Sequence, residues 1–174
     1  MKKLALSMVL FAISLGLFAQ NETDQNELKI NMSNLIGFKW LDVGYERILN
    51  EESSIGFGTL ISLDHSVDGL DEYRTFSLTP YYRHFFSDKY AQGFFVEAFT
   101  MLHSGKDEYY NYETDLNNKD SFTDFAVGIS AGAKWVTARG FVAEIYAGIG
   151  RDMFNQSDIE VVGRGGVSIG YRFQ

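Results

Sequence analysis

The chain has 174 residues, of which 45% are apolar and 16% aromatic, with 17 glycines, one proline and no cysteine. Without cysteine, neither disulfides nor thiolate-bound metals can hold it together. A formal net charge of −8 argues against nucleic acid as a partner, and the balance of glycine and aromatics is unlike that of a helical enzyme.

The N-terminus comes first. Lys2 and Lys3 precede an apolar run from Leu4 to Phe18, which ends in Ala19-Gln20. That is the pattern of a secretory signal peptide, and the run is shorter than the roughly 20 apolar residues a membrane span requires. Cleavage is expected after Ala19, although Leu17 is a poor residue at the −3 position. Residues 20–174 then form one domain by length. Loss of the two lysines carries the net charge from −8 to −10.

From there on, apolar and polar residues alternate in segments separated by turn signals. Eight strands are expected, at about 27–35, 39–48, 54–64, 73–86, 93–103, 122–136, 140–151 and 160–173. Short polar connections (50–54, 87–93 and 137–140) alternate with longer or charged ones such as 64–72 and 103–121. An up-and-down barrel in an outer membrane has this rhythm, with short turns at one end and longer loops at the other.

The faces indicate which way the barrel is turned. In 122–136 the apolar set is Phe125, Val127, Ile129, Ala131, Ala133 and Trp135, opposite Asp124, Ala126, Gly128, Ser130, Gly132 and Lys134. The last strand sets Val167, Ile169, Tyr171 and Phe173 against Gly166, Ser168, Gly170 and Arg172. Glycine weakens a strand facing solvent, but it makes room in the crowded interior of a small barrel. The glycine-and-charge face therefore points inward and the apolar face points to lipid. In this register Asp42, Glu46, Glu97, Asp124 and Glu144 meet Lys29, Arg83, Lys134, Arg164 and Arg172 inside, five acids against five bases. Buried charges must be paired, and an eight-stranded interior is just wide enough for side chains to fill it. A proton or ion path through these groups is the alternative to a packed ionic core.

Trp40, Tyr45, Tyr82, Phe86, Phe94, Trp135, Phe141, Tyr171 and Phe173 fall near strand ends, as interface aromatics do. Two segments fit less well. Residues 93–103 are apolar on both faces, which leaves the register open around Phe95, Phe99 and Met101. Pro80 lies inside a strand, where it removes a ladder donor and predicts a bulge or weakened pairing.

The strand LDVGYERIL (41–49), FSLTPYYRHFF (76–86), GISAGAKW (128–135) and the closing GYRF (170–173) resemble the small outer-membrane β-barrels of Bacteroidota. More loosely, the chain is similar to eight-stranded barrels of the OmpA and OmpX type. Arg164, Gly166, Ile169 and Tyr171 also resemble the C-terminal signal read by the barrel-insertion machinery. The resemblance implies an all-β, eight-stranded transmembrane barrel lodged among outer-membrane lipids and lipopolysaccharide, and a monomer is expected. It carries over no catalytic residue.

Chemistry is sparse. His65 with Ser66 and His103 with Ser104 stand where a Ser–His acyl-transfer pair could sit, but no orienting acid or oxyanion hole is identifiable in the sequence. His84 is expected on the outward face near a turn. DLNNKD (115–120) places Lys119 where a calcium loop needs an acceptor. GIG (148–150) and GRGG (163–166) open no helix, so they are thinning residues on the lumen side rather than phosphate loops. No catalytic, cofactor-binding or metal-ligating residue is assigned. The loops 64–72, 103–121 and 151–160 hold twelve acids against Lys106, Lys119 and Arg151, and Tyr109, Tyr110 and Tyr112 lie among them. They are either solvated loops or a surface for an extracellular ligand. The leading reading is a structural or surface-interacting barrel without a wide pore. The alternatives are a lipid-A-modifying enzyme using His103 or His65, and a soluble periplasmic barrel for a small apolar ligand with every face inverted.

Overall fold

A computed structural model of the chain describes residues 25–63, 72–111, 116–154 and 161–174. The expected signal peptide and His65 lie outside them, as do most of loop 64–72, residues 112–115 of loop 103–121, and 155–160 of loop 151–160.

Eight strands close into one antiparallel barrel in chain order: β1 (Asn26–Asn31), β2 (Trp40–Ile48), β3 (Ser53–Ser62), β4 (Glu72–Phe85), β5 (Gly93–Asn111), β6 (Leu116–Val136), β7 (Phe141–Asp152) and β8 (Val161–Phe173). Closure is by β1 on β8, from Asn26↔Phe173 to Asn31↔Ser168. Gln25, the C-terminus and the three short connections lie at one end, here the turn end. The strand ends joined by the other four connections lie at the opposite end, here the loop end.

The alternating faces fall as the sequence pattern requires. Leu28, Phe57, Ile129, Trp135, Ile145, Ile149, Ile169 and Tyr171 are exposed on the outer wall, while Glu46, Arg83, Glu97 and Lys134 are sealed inside. The inverted, apolar-inside arrangement is not the one formed. Within β5 the open register resolves with Phe95, Phe99 and Met101 inward. The reason lies on the next strand, where Phe95 pairs with Gly132 and Phe99 with Gly128. A Cβ at either glycine would collide with the facing ring, so each aromatic fills the space its partner leaves open. Pro80 faces outward, and the β4–β5 ladder is silent between Leu78↔Leu102 and Tyr81↔Phe99. The pairing is weakened there without a change of register.

Three features depart from expectation. The first strand stops at Asn31 instead of continuing to residue 35, because the Asn31 side chain accepts from Asn34 N and caps a short helix, α1 (Met32–Phe38). Lys39, at φ 54°, closes that helix by donating its backbone N–H back to the Asn34 carbonyl. Second, β5 and β6 run far past the expected limits of 103 and 122, pairing as far as Asn111↔Leu116, so most of the expected loop 103–121 is a hairpin extension. Third, a bulge between Arg74 and Phe76 shifts the β4 register.

β1 is too short to complete the wall. Its ladder with β2 ends at Ile30↔Val43, and β8 continues beyond Ser168 to Val161 with only β7 beside it. The loop-end half is therefore walled by seven strands, and α1 covers the seam between β2 and β8. Side chains serve the open β8 edge: Val167 N donates to Ser33 Oγ, Asn31 Nδ2 to the Gly165 carbonyl, and Arg74 Nη2 to the Gly163 carbonyl.

Candidate functional site

The interior is layered. At the turn end Ile48, Phe85, Ala91, Phe95 and Tyr146 form an apolar plug. The β4–β5 turn folds into it, with Ala91 N donating to the Glu51 carbonyl. Arg172 donates to the carbonyls of Tyr90 and Ala91, at 3.2 and 2.7 Å, and fastens the turn to the wall.

A charged layer lies within the same half. Glu46 is its hub, accepting from Lys29 Nζ at 2.5 Å, Lys134 Nζ at 2.6 Å, Arg83 Nη1 at 3.0 Å, Ser54 Oγ at 2.6 Å and Tyr81 Oη at 3.2 Å. Glu144 accepts from Lys29 at 2.9 Å and Arg83 at 2.8 Å. Glu97 holds Arg83 at 2.7 Å, Ser130 at 2.7 Å and Arg164. Glu27 bridges Lys134 at 2.8 Å and Arg172 at 2.7 Å. Aromatic rings bracket the cations, with Arg83 at 3.8 Å from the Phe95 centroid and Lys134 at 4.8 Å from that of Phe85. Each acid meets at least two cations. Such density satisfies the pairing that burial demands and fills the cross-section.

The ten charges expected inside are there, but their pairing is not an even match. Glu144 and Arg172 engage different partners, and Glu27 is an additional buried acid. Glu27 shares the parity of Lys29, so alternation alone could have placed it; its position at the strand's first residues concealed it.

Towards the loop end the packing loosens. Tyr81, Phe99, Met101, Ala126 and Val162 form a second apolar cluster. Beside it a chamber of about 260 Å³ opens, lined by residues including Asn34, Trp40, Asp42, Leu60, Arg74 and Arg164. Asp42 accepts from Asn31 at 3.0 Å and Asn34 at 2.8 Å. Trp40 therefore does not join the interface aromatics. It has the parity of Asp42 and Glu46, it lines the chamber, and its ring stacks on Phe38 at 4.7 Å. Tyr82, Phe86, Phe94, Trp135, Phe141, Tyr171 and Phe173 are on the outer wall as expected.

The candidate Ser–His pair does not assemble. His103 is buried in the lumen with Nε2 2.9 Å from Asp152 Oδ1. Ser104, the next residue, takes the opposite face, and the serine cross-strand from His103 is Ser77. His84 packs on Phe86 on the outer side, as the alternation requires. Of the two glycine clusters, Gly148, Gly150 and Gly166 are on the lumen face, whereas Gly163 and Gly165 have outward parity on the β8 edge that β1 does not reach. That part of the thinning expectation is corrected.

Arg74 could not have been placed by counting. It is one residue out of step with Ser77, Tyr81 and Arg83, and the bulge beside it turns it inward.

The fold and its contents define a class: a closed, eight-stranded up-and-down barrel, apolar outside and ionic within. No protein-family model matches the chain, and no match was found among curated proteins. A solved structure with the same fold is the N-terminal β-barrel domain of Pseudomonas aeruginosa OprF, at TM-score 0.54 and 12% identity, covering 87% of this chain and 98% of that one.

Proposed function

We propose that this chain is a small outer-membrane β-barrel, of the type found in Bacteroidota, exported by its N-terminal signal peptide and inserted through recognition of its C-terminal strand. The observation that carries the reading is the distribution of polarity. A belt of exposed Leu, Ile, Val and Phe side chains surrounds an interior holding four glutamates and their cations. In water such a surface would aggregate, and in a bilayer it is the required one. The likeness of fold to the OprF barrel domain supports the barrel architecture that this reading requires.

The role is structural or surface-interacting and non-enzymatic. The charged layer and the apolar plug beneath it leave no room for a wide aqueous path. The acidic segments 64–72, 103–121 and 151–160 would meet lipopolysaccharide through divalent cations, or an extracellular ligand through their tyrosines. The barrel acts as a monomer.

Cysteines placed singly at Ile169 and Ser168, in a chain that otherwise has none, test the orientation. A lipid-soluble quencher should reach a label at Ile169 and spare one at Ser168; equal or reversed quenching would overturn the membrane assignment. Purified protein in planar bilayers should give no stable porin-like openings. Lipid A from cells with and without the protein should have the same acyl profile by mass spectrometry.

A further inference from the structure

We propose that the loop-end chamber is a binding site for a small anionic amphiphile. Its acid group would lie between Arg74 and the Trp40 indole N–H, and its apolar part against Phe38, Leu60 and Met101.

Two buried donors carry the inference. Trp40 Nε1 and Arg74 Nε are the buried side-chain polar atoms without a hydrogen-bond partner among the described residues, and both side chains line the same chamber. A buried donor left unmatched costs about 1–3 kcal/mol, more when charged, so two on side chains that line one cavity mark a place where an acceptor belongs. The acceptor should be negative, because Arg74 forms no ion pair within 4 Å among the described residues. Its electrostatic neighbours are Asp42 and Asp152, and both are occupied, Asp42 by Asn31 and Asn34 and Asp152 by His103. Arg164, the other chamber cation, is held by Glu97 in the layer below.

The backbone is arranged around this group. The bulge at Thr75 is what turns Arg74 inward, and bulges recur beside binding sites because they re-aim a side chain. Arg74 Nη2 is held on the Gly163 carbonyl at 3.2 Å, and Gly163 lines the same chamber, so the guanidinium is anchored at the chamber wall. The rest of the lining sets the ligand's character. Phe38, Leu60 and Met101 offer an apolar surface beside the donors, so a bare inorganic ion would leave half the chamber unused. The volume of about 260 Å³ matches roughly nine water molecules, hence a ligand on the order of ten non-hydrogen atoms: a short-chain or aryl carboxylate. The wall on this side is α1 rather than a strand, so the apolar part of the ligand meets Phe38 at the seam.

The test uses the full-length barrel in detergent with Trp135→Phe, which leaves Trp40 as the sole tryptophan reporter. Benzoate and hexanoate should change Trp40 emission saturably, while hexylammonium, benzyl alcohol and inorganic phosphate should not. Arg74→Met should weaken carboxylate binding at least about tenfold, the factor expected from losing one charge-assisted hydrogen bond. Ser77→Leu, which fills the chamber without touching a charge, should abolish the response in a barrel whose heat-modifiable mobility is intact, and it serves if the Arg74 variant does not fold. Phosphate binding as well as benzoate would replace the amphiphile with a simple anion and overturn the proposal. Equal binding of the alcohol or the ammonium compound, or an undiminished response in Ser77→Leu, would overturn it as well.

Discussion

Two halves of one barrel solve the same problem in opposite ways. The turn-end half has eight hydrogen-bonded strands and a lumen filled by an ionic layer on an apolar plug. The loop-end half lacks β1, borrows side chains to serve the open edge of β8, and keeps a chamber with unmatched donors. Closing a sheet satisfies the backbone completely but forces the interior to be filled. Leaving out half a strand makes room, at the cost of caps and side-chain substitutes for the ladder. Stability should therefore concentrate in the turn-end half, and tolerance to change in the other.

The largest expected effect tests that division directly. Glu46→Ala removes the acid on which Lys29, Arg83 and Lys134 converge. Breaking a buried pair on one side costs about 3–5 kcal/mol, and here three cations lose their common partner. Asp42→Ala, in the loop-end half, takes the acceptor from two neutral amides and breaks no ion pair within 4 Å among the described residues, although Arg74 and Arg164 lose a more distant countercharge. A loss of about 1–2 kcal/mol is expected. Denaturant midpoints in detergent should separate the two variants clearly. Equal losses would mean the ionic layer does not dominate the stability of the barrel.

Next in size is a comparison of depth on a single strand. Ile169 and Val161 are both exposed on the outer wall of β8, one opposite Ile30 of β1 and the other at the loop end. Arginine at Ile169 should cost roughly 2–4 kcal/mol if that position lies near mid-bilayer, and about 0–1 kcal/mol at Val161 near the interface. Refolding equilibria into lipid vesicles measure both. Ser168→Thr, on the inner face beside Ile169, should fall well below Ile169→Arg.

What was legible in the sequence divides along the same line. Strict alternation with glycine opposite apolar residues identified the faces of β6 and the turn-end part of β8, and the same period-two count placed the acids and bases of the other strands inside. The signal works there because period two is obeyed wherever both neighbours are strands. It fails where the ladder is broken. Asn31 reads as one more polar residue in a strand, yet its side chain captures the Asn34 N–H and turns the chain into α1. Thr75 reads as a strand residue too, yet the bulge beside it reverses the face of Arg74. The β5–β6 extension was hidden for another reason: its segment is so rich in charge and tyrosine that composition pointed to a loop, while the pairing continues through Glu108↔Lys119. The chamber combines two of these breaks, so no count along the sequence could assemble it.

The smallest effects sharpen the contrast by using one chemical change in both halves. Gly132 lies in the turn-end lumen, where an added Cβ would run into the Phe95 ring, Tyr146 and the Ile145 carbonyl. Gly163 is on the loop-end part of β8, and an added Cβ there meets nothing within 4 Å. Neither has a positive φ, so neither substitution is opposed by the backbone alone. Gly132→Ala should destabilise by about 1–3 kcal/mol, the usual cost of overpacking, since Phe95 is pinned between Arg83 and Phe85 and cannot retreat. Gly163→Ala should be neutral or stabilise by roughly 0.5 kcal/mol, because alanine loses less conformational freedom than glycine on entering a strand. Paired unfolding curves of the two variants read the difference in packing without altering any charge. If Gly163→Ala proved as costly as Gly132→Ala, the cost would lie in the strand backbone rather than in the crowding around Phe95, and overpacking of the turn-end lumen would not explain either loss.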